Sequence, residues 1–150
     1  MSTPPNVVVQ VKQSFTAAPE RVFDAWLDPG LIGKWMFGPA LREEEIVQLS
    51  VDAKPGGKFS FLVRRSGQEI DHIGEYFELD RPRRLVFSWG IKGSDSSRVT
   101  IDIVPRGTGC DLMLTHELHP DWADYASRTQ AGWTKMIGVL AGLLETERFS

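Results

Sequence analysis

Cysteine is nearly absent. Cys110 is the only one in 150 residues, so no internal disulfide can form and the chain suits a reducing compartment. Long apolar runs are missing too. The longest at helical spacing, Met136 to Leu144, falls well short of the ~20 residues a bilayer needs. Met1-Ser2-Thr3-Pro4-Pro5 carries neither the basic patch nor the apolar stretch of a secretory signal. The expectation is a soluble, cytoplasmic protein without a membrane span. Basic charge is also scarce. With 17 Lys and Arg against 20 Asp and Glu, the formal net charge is -3, which argues against a nucleic-acid partner. The densest basic cluster, Arg81-Pro82-Arg83-Arg84, reads as a solvated turn between two strands. There are no internal repeats, low-complexity stretches or linkers, so residues 1–150 are expected to form one domain.

What is present has clear periodicity. Val7 to Phe15 is β-branched and reads as a strand. Ala18-Pro19-Glu20-Arg21 opens a helix with proline in its first turn. Asp28-Pro29-Gly30 interrupts it, and Leu31, Ile32, Trp35 and Met36 follow as a second short helix. A succession of strands comes next. Glu45 to Val51 alternates imperfectly. Phe59, Phe61 and Val63 alternate cleanly, and Ile70 to Leu79 runs extended. Leu85, Phe87 and Trp89 alternate, then Val99, Ile101 and Ile103, then Leu112, Leu114 and His116. Turn signals fall between them at Lys54 to Gly57, Ser66-Gly67, Asp80 to Pro82, Gly93-Ser94-Asp95 and Pro105 to Gly107. This is the pattern of an antiparallel meander.

The period changes at the end. Trp122, Tyr125, Thr129, Trp133, Met136, Leu140, Leu143 and Leu144 recur at three or four residues. They predict one helix from about Asp121 to Glu147, ~40 Å long. A sheet with one buried face needs a cover, and only this helix is long enough. It carries Gly132, Gly138 and Gly142 despite their cost of roughly 1 kcal/mol each. The expected reason is close approach of strands or of the first two helices to its backbone.

Candidate chemistry is sparse. His116-Glu117-Leu118-His119 is not the H-E-x-x-H zinc pattern, and strand geometry puts His116 and Glu117 on opposite faces. His116 is expected to line the sheet's inner face with Leu112 and Leu114. Cys110 reads as a small buried hydrophobe. Gly56-Gly57-Lys58-Phe59 lacks the upstream glycine and following Ser or Thr of a phosphate loop. No cofactor, metal site or catalytic set is assigned.

In order along the chain, several segments resemble one family. They are Ala18 to Trp26, Leu31-Ile32-Gly33-Lys34-Trp35, Gly56 to Phe61, Gly74-Glu75-Tyr76, Arg83 to Trp89, Leu112 to Glu117, and Gly132-Trp133 followed by Leu140. The chain is similar to the activator of heat-shock-protein-90 ATPase homologue family (AHSA-like), within the START-like, SRPBCC or birch-pollen-allergen-like superfamily. The resemblance covers nearly the whole chain. It implies an α+β helix-grip fold: a curved antiparallel sheet around the C-terminal helix, with a cavity between them.

Superfamily members bind lipids, sterols or polyketides, and some are cyclases or hydrolases. The resemblance therefore implies a non-enzymatic domain for a small hydrophobic ligand, with a stress-related role as a further expectation. Walls would come from Trp35, Phe59, Phe61, Phe87, Trp89, Ile101, Leu114, Trp133 and Met136. His72, Tyr76 and His116 would supply polar orientation. For the aromatic residues, pocket wall and plain core packing both stay open. A cyclase- or hydrolase-like enzyme using His72, Glu75, Glu78 or His116 is the first alternative. A chaperone co-factor is the second. The eukaryotic activators resemble this chain only in their C-terminal domain. Monomer and homodimer are both compatible with the sequence.

Overall fold

Proline starts both short helices. In the computed structural model, which describes residues 7–37, 43–93 and 96–148, strand β1 (Val7–Phe15) leads into α1 (Pro19–Ala25) and α2 (Pro29–Trp35). A proline in the first turn loses nothing, because its missing N–H would have no helical partner there. At α2, Asp28 Oδ1 also accepts the Gly30 amide at 2.9 Å, an N-terminal cap. Asp28-Pro29-Gly30 therefore ends one helix and begins the next. Met1–Pro5 and the turn residues Ser94 and Asp95 lie outside the described residues.

Six strands follow, as the alternation predicted: β2 (Glu45–Val51), β3 (Lys58–Arg65), β4 (Gln68–Asp80), β5 (Arg84–Ile91), β6 (Ser97–Arg106) and β7 (Gly109–Leu118). With β1 they form a seven-stranded sheet in the order β1-β7-β6-β5-β4-β3-β2. Every pair is antiparallel, and β1 closes the row by pairing with β7, Val9 opposite His116. The imperfect pattern of β2 has a cause: a register shift between Ile46 and Gln48. A second shift falls between Tyr76 and Glu78 on β4. Such bulges sharpen twist and bend a strand, which curves the sheet toward its cover.

That cover is α3 (Ala126–Arg148). It packs on β1 and touches α2, burying Trp133, Ile137, Leu140 and Leu144. The expected single helix from Asp121 divides instead. Pro120–Tyr125 is a 3-10 turn, capped where His119 Nδ1 accepts the Asp121 amide at 3.1 Å. The glycine expectation also needs correction. At Gly132, Gly138 and Gly142 an added Cβ would meet no described atom within 4 Å. Close approach occurs in the sheet, at Gly74, where a Cβ would collide with the Ser88 carbonyl and the Phe59 ring.

This is the α+β helix-grip architecture. Its outer surface carries the basic cluster, which is paired rather than simply solvated. Arg81 binds both carboxylate oxygens of Asp24 at 2.8 and 2.9 Å, tying the β4–β5 turn to α1. That hydrogen bond holds the Asp24 carboxyl below its ordinary range. Arg83 pairs with Asp80, and Arg84 with Glu78 and Asp102. Among the described residues, no helix is long and apolar enough to cross a membrane.

Candidate functional site

The concave face of the sheet is dense with rings. Phe59 and Phe61 stack at 4.7 Å between centroids, and Phe59 meets Tyr76, Phe87 and Trp89 within 5.9 Å. His72 lies 4.9 Å from Phe37 and 5.5 Å from Trp89, with Nδ1 3.1 Å from the Phe61 carbonyl. Trp35 packs edge-on against Trp26 at 4.7 Å and donates Nε1–H to the Ala25 carbonyl at 3.1 Å. Ile101 and Leu114 are fully buried. Burial also raises the Tyr76 phenol far above its usual value. These eight side chains, Trp35, Phe59, Phe61, His72, Tyr76, Phe87, Ile101 and Leu114, touch one another or the core. Their rings fill most of the gap that the fold leaves between sheet and helix.

The filling stops at one end. A pocket of about 360 Å³ opens where β5, β6 and β7 meet the 3-10 turn and α3. Four of the expected residues border it: Trp89, His116, Trp133 and Met136. Gly90, Ile91, Ser97 and Leu118 come from the strand ends. Trp122 and Tyr125 come from the 3-10 turn, and Thr129 and Gly132 from α3. His119 and Ser96 complete the rim. Three of these follow from strand alternation carried one step further. Val99, Ile101 and Ile103 point inward, so Ser97 does too; Leu118 follows His116, and Ile91 follows Trp89.

A directed hydrogen-bond chain backs the pocket. Trp133 Nε1–H donates to His116 Nδ1 at 3.0 Å. Indole nitrogen is a donor only, so Nδ1 must be the acceptor and Nε2 must carry the ring proton. That proton goes to Ser97 Oγ at 2.6 Å. Ser97 in turn donates to the Trp89 carbonyl at 3.0 Å. His116 is 3% exposed, and burial pushes its pKa down to about 4. It is therefore a neutral ring of fixed tautomer at pH 7. Its one lone pair is already occupied, so in this arrangement it holds neither a metal nor a substrate proton.

Cys110 does not border the pocket. It is buried, its Sγ 3.7 Å from the Ala17 carbonyl, and burial raises the thiol pKa to about 11. Among the described residues, no group of three or more His, Cys, Asp or Glu could hold a metal ion. One buried polar atom lacks a described partner: Trp26 Nε1. Its ring lies 5.9 Å from Trp133, on the core side.

A helix-grip domain with an aromatic pocket at one end of its terminal helix belongs to the START-like class. Within it, the chain matches the family described as Activator of Hsp90 ATPase homolog 1-like protein over residues 16–145, and it is a member of that family. No curated protein sequence matches it. Solved structures do. Protein CV1439 from Chromobacterium violaceum is 29% identical, with a TM-score of 0.80 over 94% of this chain and 99% of that one. Protein SA2116 from Staphylococcus aureus, described as of unknown function, is 17% identical, with a TM-score of 0.83 over 97% of each chain. Protein NE0264 from Nitrosomonas europaea is 18% identical, with a TM-score of 0.81 over 96% of this chain and 97% of that one. The last two likenesses concern the fold alone.

Proposed function

We propose that this protein is a non-enzymatic binding domain for a small hydrophobic molecule. The ligand sits at the open end of the grip, between the β5–β7 strand ends, the 3-10 turn and α3. The observation that carries this reading is the pocket of about 360 Å³ walled by Trp89, Trp122, Tyr125, Trp133 and Met136. Its volume lies at the lower end for small-molecule sites, and its apolar walls with a few polar groups are typical of them. Membership of a superfamily of hydrophobic-ligand binders agrees with it.

Binding rather than catalysis is favoured by the state of His116. His116, the buried imidazole behind the pocket, has both nitrogens engaged, and His119 on the exposed rim has its Nδ1 lone pair taken by the Asp121 amide. General base work needs a free lone pair within reach of the substrate.

Gly132 provides the test. It borders the pocket, and an added side chain there meets no described atom within 4 Å. Gly132→Leu would fill the pocket from the helix side without displacing the core. Leucine also favours helix over glycine by roughly 0.8 kcal/mol. The expected result is apolar probe binding by the wild type, measured by native mass spectrometry, that is lost in a folded Gly132→Leu. Unchanged binding in that variant would place the ligand elsewhere and sink the proposal.

A further inference from the structure

We infer that the pocket selects an uncharged, flat aromatic molecule bearing one hydrogen-bond donor, such as a phenol or an N–H heterocycle. This rests on the binding reading above and narrows it to a chemical class.

None of the described side chains bordering the pocket is Asp, Glu, Lys or Arg. Of the two histidines on the lining, His116 cannot supply a charge, because its neutral tautomer is locked between Trp133 and Ser97, and His119 sits on the exposed rim with the Asp121 carboxylate 3.4 Å from its Nδ1. Moving an ionised group from water into such a site is costly without a partner. Arg128, outside the lining, holds its guanidinium over the Tyr125 ring at 5.9 Å.

Shape is next. Trp89 and Trp133 stand 5.3 Å apart and form the inner wall, and Trp122 and Tyr125, 5.2 Å apart, form the outer lip. Trp122 and Tyr125 are 44% and 47% exposed, so their faces are not used up by the core. Aromatic rings at this spacing gain from offset or edge contacts that a saturated chain cannot make.

Polarity fixes the last feature. Ser97 Oγ accepts from His116 and donates to the Trp89 carbonyl. A hydroxyl oxygen has two lone pairs and one proton. What Ser97 has left is one lone pair, so it can only accept from the ligand. The ligand group at that edge must therefore donate.

Isothermal titration at neutral pH with four probes tests this. 2-Naphthol is flat, neutral and a donor. 2-Methoxynaphthalene lacks the donor, 2-naphthoate adds a charge, and 1-decanol keeps the donor without the ring. The expected order puts 2-naphthol first, with each of the others weaker by roughly fivefold or more, about what one hydrogen bond is worth. In Ser97→Ala the advantage of 2-naphthol over 2-methoxynaphthalene should vanish. That comparison is internal to the variant, so it does not depend on the variant's stability. If 1-decanol or 2-naphthoate binds as well as 2-naphthol, the class is wrong and the pocket reading stands. A donor advantage that survives in Ser97→Ala overturns the role of Ser97. If no probe binds, both readings fail.

Discussion

His116 is neutral in the fold for two concurrent reasons: burial, and a lone pair committed to the Trp133 indole. Its folded pKa of about 4 lies below the ordinary histidine value of 6.5. Between those values the unfolded chain binds a proton that the native chain refuses. The stability contributed by the neutral ring is thus fully present above about pH 6.5 and is lost as pH falls toward 4. A shift of this size corresponds to a loss on the order of 3 kcal/mol. His116→Gln keeps a polar side chain without the titration. Urea unfolding at pH 7 and pH 4 should show the wild type losing more stability than the variant, and parallel pH profiles would refute the assignment. Two tryptophans give a second contrast. Trp35 Nε1–H is paired with a carbonyl, whereas Trp26 Nε1 has no described partner. Both rings are at most 3% exposed, so each loses similar volume on change to Phe. Trp26→Phe should cost roughly 1–2 kcal/mol less than Trp35→Phe, because it also removes an unpaired buried donor. Equal losses in denaturant midpoint would mean that the Trp26 N–H has found a partner. At this scale the sequence was partly readable. Alternation placed His116 and Trp89 on the inner face. It could not say whether Phe59 and Phe61 would face a ligand or one another, since that depends on rotamers.

Elements carry a different lesson. The strands were legible because each alternates with a period of two, and the bulge at Ile46/Gln48 explains the one strand whose pattern was poor. The boundary at Ala126 was not legible. Trp122 and Tyr125 fit a helical stripe at three-residue spacing, but that spacing also suits a 3-10 turn, in which residues three apart eclipse. The turn sets both rings on one side, as the lip of the pocket. The three glycines of α3 divide by role. Gly132 borders the pocket and leaves it open. Gly138 and Gly142 face no described atom within 4 Å of an added Cβ and are exposed. Close packing therefore does not repay their helix cost. Gly138→Ala and Gly142→Ala should each raise stability by about 0.5–1 kcal/mol, read from urea midpoints. A lowered midpoint at either position would show that the backbone there is needed bare.

At the scale of the molecule, the pocket is where the grip is incomplete. Rings from α1, α2 and β3 to β5 fill the middle, and among the described residues the grip opens at the end bounded by β5–β7 and α3. A ligand there touches three successive strands, the 3-10 turn and the helix that covers them, a surface that exists only when they are packed together, so it binds the folded chain and not the unfolded one. Its binding free energy then adds to global stability. At a free concentration of 100 times Kd the gain is about 2.7 kcal/mol. For a chain of this size that corresponds to a rise in Tm of roughly 5–10 °C. Saturating 2-naphthol should produce such a rise in the wild type. Gly132→Leu should show none, while its own Tm without ligand stays at or above that of the wild type. The two readouts separate the possibilities. A low starting Tm would mean that the leucine disturbs the core, and Gly132 would not be the open position described here. A normal starting Tm with the full ligand-induced rise would mean that the molecule is gripped elsewhere, and that the end of α3 is open for another reason.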